Sequence, residues 1–447
     1  METSARTRGT LGAQWIGVAQ GIRRRGWLAL VLVLFLLLIP SDGYLGAARQ
    51  DLVINRAVGG RQFNLPAWEV QAIEQKLRDA VTRPDAGLTP LQEHDLVVDY
   101  MRGVGQIADL TGKIEAAAAG VGEGDLAQKK ADLERQLESL RARQAQNRPA
   151  VERIIEKQVA SVLDELGFTT FGQVFPPVSF QFTESPNYLV ISPRQRIRVD
   201  RGEYLDPAMP LSQIEQIETE VANGLDKSTI IEGTGGFSSY PTMVLEYPVL
   251  SWVLDTVSHE WTHTYLFMRP LGWNYESSPA MRTINETVAS MVGDEVSQML
   301  LEKFYPELVG PAAWPMPLSM RPDWLSKAPV KPAFEYAAFM RETRLQADKL
   351  LSEGKVSEAE AYMEARRQEL VKHGYAIRKL NQAYFAFHGS YQVGAAAGTD
   401  PIGGKLRALR ARLASLPAFL NTVAHFSRAE DLDATLELTT QPAGIGG

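Results

Sequence analysis

Apolar positions along this chain change their period several times, and each change marks a boundary. Residues 27–39, from Trp27 to Ile39, form an unbroken apolar run of thirteen, with Arg23-Arg24-Arg25 before it and Pro40-Ser41-Asp42-Gly43 after it. A polar stretch to about Asn64 reads as linker. From Pro66 to Leu166 the apolar residues recur at helical spacing. Leu126, Leu133, Leu137 and Leu140, set among charges, mark an amphipathic or coiled-coil helix. Gly120, Gly122 and Gly124 separate it from the preceding helix, and Asn147-Arg148-Pro149 reads as the entry to another. The default is a helical hairpin packed on itself, with residues 126–165 available as a surface for a partner helix.

At Phe175 the period shortens. Residues 178–182, 188–191 and 196–199 alternate or run apolar between Pro, Asn and Gly, which predicts short strands. A helix follows over about 211–225, and 229–231 and 242–245 predict another strand pair. Helical spacing returns over 251–268, which has no internal Gly or Pro and stops at Arg269-Pro270, and again over about 280–301. A proline-rich stretch from Pro306 to Pro332 then precedes helices beginning near Ala333, Ser357 and Gly374. The fold class is α+β, mostly helical, without internal repeats.

A chain of 447 residues, 45% hydrophobic and 22% charged, is long enough for one large or two ordinary globular domains. The pattern divides it into 1–48 (export segment), 49–166 (linker and helical region), 167–305 (strands and two helices) and 306–447 (C-terminal helices). The formal charge is −7, and residues 1–25 carry five Arg and one Glu, which leaves −11 on the remainder. An acidic body argues against a nucleic-acid partner. A basic flank followed by a short apolar run resembles a signal sequence, with Gly46-Ala47-Ala48 as a cleavage site. Over the longer window from Trp27 to Tyr44 it also reads as a retained signal anchor, a membrane-spanning helix, and the long basic region favours that reading. Either way the arginines stay cytoplasmic and the remainder is exported. Zero cysteine excludes disulfides, thiolate metal sites and cysteine nucleophiles.

Candidate chemistry centres on His259-Glu260-Trp261-Thr262-His263, two of the six histidines in an HExxH string. On a helix the i, i+4 spacing puts both imidazoles on one face, where they can share a metal ion, with Glu260 placed as a base. Catalytic zinc takes a third protein ligand, and Glu286, twenty-three residues after His263 on the next helical stretch, is the candidate. Asp255, one turn before His259, could orient a ligand histidine. No Gly-x-Ser-x-Gly elbow occurs, so a serine hydrolase is not supported.

This combination resembles the gluzincin metallopeptidases, the group that includes thermolysin-like peptidases and one-zinc aminopeptidases. Asn285 before the glutamate and Gly293 seven residues after it match the thermolysin-like pattern. Ser290 departs from it, standing where that pattern has an Asp, and Asp294 lies one turn further on. The resemblance spans residues 251–295. It implies a zincin-like catalytic core, a small mixed sheet with a zinc helix and a glutamate helix, flanked here by an N-terminal helical hairpin and a C-terminal helical subdomain. It also implies Zn2+ held by His259, His263 and Glu286, a peptide or protein substrate, and Glu260 as general base. An edge strand would bind the substrate backbone, for which Gly235 to Tyr240 is the candidate beside its reading as a Gly-rich turn. A donor from the C-terminal helices would meet the oxyanion. His388 and Tyr391, in line with Tyr384 at i, i+4, i+7, are the candidates, and they stand in a string, 380–391, that looks like segments of bacterial metallopeptidases. The alternative is a membrane-tethered binding or scaffolding protein with a structural or vestigial zinc site. Endopeptidase and aminopeptidase stay undivided.

Overall fold

The computed structural model describes residues 45–118, 126–309, 334–375, 377–389 and 401–439. The protein is α+β and mostly helical, with small sheets. It divides into two compact units, residues 1–56 and 57–447. The described residues of the first are helical and belong to α1 (Leu45–Val58), so the stretch read as linker is helical in its first half. Among the described residues no helix is long and apolar enough to cross a membrane. The expectation of a transmembrane signal anchor, and the membrane localisation built on it, is corrected by that finding. The run 27–39 on which it rested lies outside the described residues.

In the second unit α2 (Leu65–Thr82) starts where Asn64 accepts a hydrogen bond from the Ala67 N–H at 3.1 Å. Helices α3 (Pro90–Ala118) and α4 (Leu126–Glu165) pack along each other as the expected hairpin. Pro149 starts no new helix, because α4 runs straight through it. The proline deprives the Ala145 carbonyl of its partner, and Ala145 is exposed, at a turn where solvent is at hand to compensate. Beyond that point Val151, Ile154, Ile155, Val159, Val162 and Leu163 keep one face buried.

Strands β1 (Thr169–Thr170) and β2 (Gln173–Val174) form a short hairpin. Strands β4 (Asn187–Pro193), β5 (Arg201–Leu205) and β6 (Lys227–Gly233) make an antiparallel sheet in the order β5-β4-β6, with α5 (Leu211–Leu225) preceding β6. A second, mixed sheet has β3 (Phe180–Phe182) parallel to β8 (Thr242–Val244), and β7 (Gly236–Phe237) antiparallel to β8 at the other edge. The expected strand at 196–199 is absent and β5 starts at Arg201. Ser192 closes a turn there, its hydroxyl 3.3 Å from the Arg196 carbonyl and 3.4 Å from the Arg198 N–H. The alternation of Ile197 and Val199 comes from a loop laid on the core.

Helices α6 (Leu250–Phe267), α7 (Pro270–Trp273) and α8 (Pro279–Phe304) follow. They are succeeded by α9 (Tyr336–Ser352), α10 (Val356–Lys372), α11 (Gln382–Gly389), α12 (Ile402–Arg412), α13 (Leu416–Val423) and α14 (Glu430–Leu438). Gly374 begins no helix. Its φ of +86° terminates the α10 segment instead. Two apolar cores result. The first joins α3, α4, β3, α6 and α8 to α12–α14, and the second packs α9–α11 on β4 and β6. The C-terminal helices are therefore shared between two cores, and α6 and α8 lie at the centre of the first.

Candidate metal centre

Helix α6 is buried on several sides through Trp252, Val253, Leu254, Val257, Trp261 and Leu266, which fixes its rotation and leaves His259 and His263 half-buried on one face. Their Nε2 atoms lie 3.0 Å apart, and Glu286 Oε2 from α8 is 3.5 Å from each. A point equidistant from the corners of a triangle with sides 3.0, 3.5 and 3.5 Å lies about 1.9 Å from each, just short of the 2.0–2.2 Å of zinc–nitrogen and zinc–oxygen bonds. An ion slightly out of that plane would reach all three. The donors are two imidazoles and a carboxylate, a set that suits zinc, and among the described residues this is the one group of three able to hold a metal.

The loop between the helices brings Glu286 back. Gly272 allows a close turn, since a Cβ there would stand 2.1 Å from the Leu266 carbonyl oxygen, and the Leu271 N–H is tied to the Ala424 carbonyl at 3.1 Å. Ser278 caps α8 by accepting from the Met281 N–H at 3.2 Å, with Pro279 behind it. Farther along, Gly293 lets α8 approach α6, as a Cβ would lie 2.4 Å from Asp255 Oδ1 and 3.3 Å from His259 Cβ.

Asn285 has a readable part. Its Nδ2 donates to the Leu271 carbonyl at 3.3 Å, so Oδ1 is the atom 2.8 Å from His263 Nδ1 and accepts the Nδ1–H. That tautomer leaves the Nε2 lone pair directed at the cluster. Tyr275, from the loop, donates its hydroxyl to Glu286 Oε1 and lies edge-on to the His263 ring at 6.3 Å. His259 Nδ1 is approached by Ser290 Oγ at 3.5 Å, the position where the thermolysin-like pattern has an Asp. Asp255 faces Gly293 of α8, and its Oδ1 is buried without a hydrogen-bond partner.

Electrostatics follow from burial and these contacts. Burial works to lower the pKa of His263, but the Glu286 carboxylate outweighs it and raises it to about 9. Burial works to raise Glu286, and the two histidines hold it well below the usual carboxylate range. Glu260 is raised, by burial first, against the opposing pull of His259 and His263. Burial also lifts Asp255 to about 7.

Glu260 lies under β7. A Cβ on Gly236 would come 2.6 Å from Glu260 Oε1 and 2.8 Å from Thr256 Cγ2, so only glycine lets the strand run this close to α6. Ser238 follows, its hydroxyl 3.5 Å from the Glu260 carbonyl and 3.4 Å from Thr264 Oγ1. The segment 235–240 is thus a short edge strand that turns back into β8. The opposite edge of this sheet is covered from α4, where Glu156 accepts the Phe180 N–H at 2.9 Å and Glu152 the Phe182 N–H at 2.8 Å.

His259, His263, Glu260 and Glu286 come together, but His388 does not join them. It sits on α11 against Tyr384 and Phe387, ring centroids 4.2 and 5.1 Å away, its Nε2 buried without a partner, and burial alone pulls its pKa down to about 4. Tyr391 lies outside the described residues, and the described part of α11 ends at Gly389. Three residues not singled out from the sequence stand near the cluster: Tyr275, Tyr188 and Arg282. Tyr188 lies over Gly202, where a Cβ would be 1.9 Å from its hydroxyl oxygen, and packs at a tilt on Tyr204 at 4.6 Å, which meets Phe237 of β7 at 4.6 Å. Gly202 inside a strand was the available signal for such a close approach. Compared with protein-family models, curated proteins and solved structures, the chain matches none.

Proposed function

We propose that this chain is a zinc-dependent peptidase with a zincin-like core. The observation that carries the reading is the convergence of His259 Nε2, His263 Nε2 and Glu286 Oε2 at 3.0 to 3.5 Å, with Glu260 buried beside them beneath an edge strand. A structural site has no use for that second carboxylate. The mixed sheet β3-β8-β7, followed by the histidine helix and then the glutamate helix, supports the zincin-like core.

In this reading His259, His263 and Glu286 hold zinc, which acidifies water and polarises a carbonyl. Asn285 keeps His263 in the ligating tautomer, and Tyr275 fixes the Glu286 carboxylate. Glu260 accepts a proton from the attacking water on its carboxylate and returns it to the leaving nitrogen. Its raised pKa suits a group that must act first as base and then as acid. Edge strand β7 offers its backbone to an extended peptide laid along α6.

The test is elemental analysis of the purified protein and of Glu286→Ala, joined to a peptide-cleavage screen with Glu260→Gln as control. Near-stoichiometric zinc, lost in Glu286→Ala, and cleavage lost in Glu260→Gln are expected. Protein that takes up no zinc would overturn the reading, and zinc retained without hydrolysis of any peptide would reduce the site to a structural one.

A further inference from the structure

We infer that Arg282 is the anchor for a substrate carboxylate close to the bond cleaved, so that acidic peptides are the preferred substrate class; this rests on the peptidase reading above. Arg282 stands one turn before Glu286 on α8, and i, i+4 neighbours share a face with Cβ atoms about 5–6 Å apart. Its guanidinium lies 5.5 Å from the ring centroid of Tyr275, the residue whose hydroxyl holds Glu286. Metal ligand, tyrosine and arginine therefore form one continuous wall.

Stability does not explain a cation there. Arg282 occupies the first turn of a 26-residue helix with no acid in that turn, the end where the helix dipole disfavours positive charge. Its side chain is only 16% exposed, and its ion-pair partner is Glu276 of the loop, itself 69% exposed. A pair with one partner so far in solvent is weak, and a second carboxylate can replace it at little cost. The guanidinium fork suits a carboxylate, and the aromatic surface of Tyr275 beside it strengthens a charge-assisted bond by excluding water.

Reach sets the position of the charge. An extended peptide advances roughly 3.3–3.6 Å per residue. A carboxylate one or two residues from the scissile bond matches the i, i+4 separation of Arg282 from the metal ligand. A free C-terminal carboxylate and an Asp or Glu side chain both supply that chemistry.

The experiment titrates zinc-loaded, full-length Glu260→Gln protein with three matched fluorescent alanine-rich peptides and reads anisotropy. One is neutral and amidated, one has a free C-terminal carboxylate, and one carries an internal Glu in place of Gln. An acidic peptide is expected to bind about ten- to a hundredfold more tightly than the neutral one, and which acidic peptide does so identifies the source of the charge. Adding Arg282→Gln should level the affinities, Arg282→Lys should restore part of the preference, and Glu276→Gln should tighten acidic peptides severalfold. Zinc content, measured in parallel, certifies that each variant is folded. Equal affinities in the parent, or a preference that survives Arg282→Gln, would overturn the inference while leaving the peptidase reading standing. Should Arg282→Gln lose its zinc, Glu276→Gln decides, and no tightening there overturns it. Failure of every peptide to bind would overturn the peptidase reading and this inference together.

Discussion

Asn285 decides which nitrogen of His263 meets the cluster, and that choice depends on a carbonyl from another element. Because Asn285 Nδ2 is committed to Leu271, its Oδ1 must take the His263 Nδ1–H, leaving Nε2 to ligate. Replacing Asn285 with Ala should lower zinc affinity about 10- to 100-fold, measured by competition with a chelator of known affinity, while the backbone fold is kept. Without metal, the Glu286 carboxylate raises the pKa of His263 to about 9, so at neutral pH His263 carries a proton. The sign follows: a raised pKa contributes stability to the metal-free protein below the unfolded value of about 6.5, lost as pH rises through about 9. Zinc must displace that proton. Its affinity should climb with pH from neutrality by close to tenfold per unit and level off above the raised value, with about one proton released per zinc at pH 7. Calorimetry in buffers of different ionisation enthalpy measures the proton, and an affinity independent of pH would mean that His263 is neutral. In the sequence Asn285 was visible only as a match to a pattern, because its role needs the Leu271 carbonyl, which α7 supplies.

Between elements, the site depends on close approaches that only glycine permits. A Cβ at Gly236 would stand 2.6 Å from Glu260 Oε1, so Gly236→Ala should push the carboxylate aside or lift β7 from α6. Peptide cleavage should fall at least tenfold while zinc content stays at the wild-type level, since no zinc ligand is touched. Loss of zinc as well would place the damage in α6 rather than at the base. The elements around this contact were readable to different degrees. Periodicity located α5, α6 and α8 because each is long and amphipathic or buried, and it located β3, β4, β6 and β8. It failed at 196–199, where two apolar side chains on a loop imitate a strand, and at Pro149, where the exposed turn at Ala145 tolerates the proline. Gly235-Gly236 read equally as strand and as turn, and both are present, because the strand is only two residues long before it turns back. Of the expected helical face in 384–391, Tyr384 and His388 do pack together, and Tyr384 belongs to the second core. Which core a C-terminal helix joins is a tertiary fact that its own pattern does not contain.

At the scale of the whole molecule, the proposed metal ligands lie on the two helices that the first core is built around. Trp261 and Leu266 of α6 and Ile284, Val288 and Val292 of α8 share that core with α3, α4 and α12–α14, whereas α9–α11 belong to the second. Zinc held by His259 and His263 on one helix and Glu286 on the other binds only the arrangement in which both helices are docked. A ligand of the native state alone adds about 4 kcal/mol at a free concentration a thousand times its Kd. For a chain of 447 residues that corresponds to a rise in Tm of about 4 °C. Differential scanning calorimetry on metal-free protein, with and without zinc, should show this rise, and Glu286→Ala should abolish it. The division into two cores sharpens the expectation. If they melt as separate transitions, the one that shifts must be the one containing α6 and α8, identified by the fluorescence of buried Trp252 and Trp261, and the other should stay in place. A single transition that shifts as a whole would mean that the cores unfold as one cooperative body. A shift that persists in Glu286→Ala would mean that the stabilising zinc sits elsewhere.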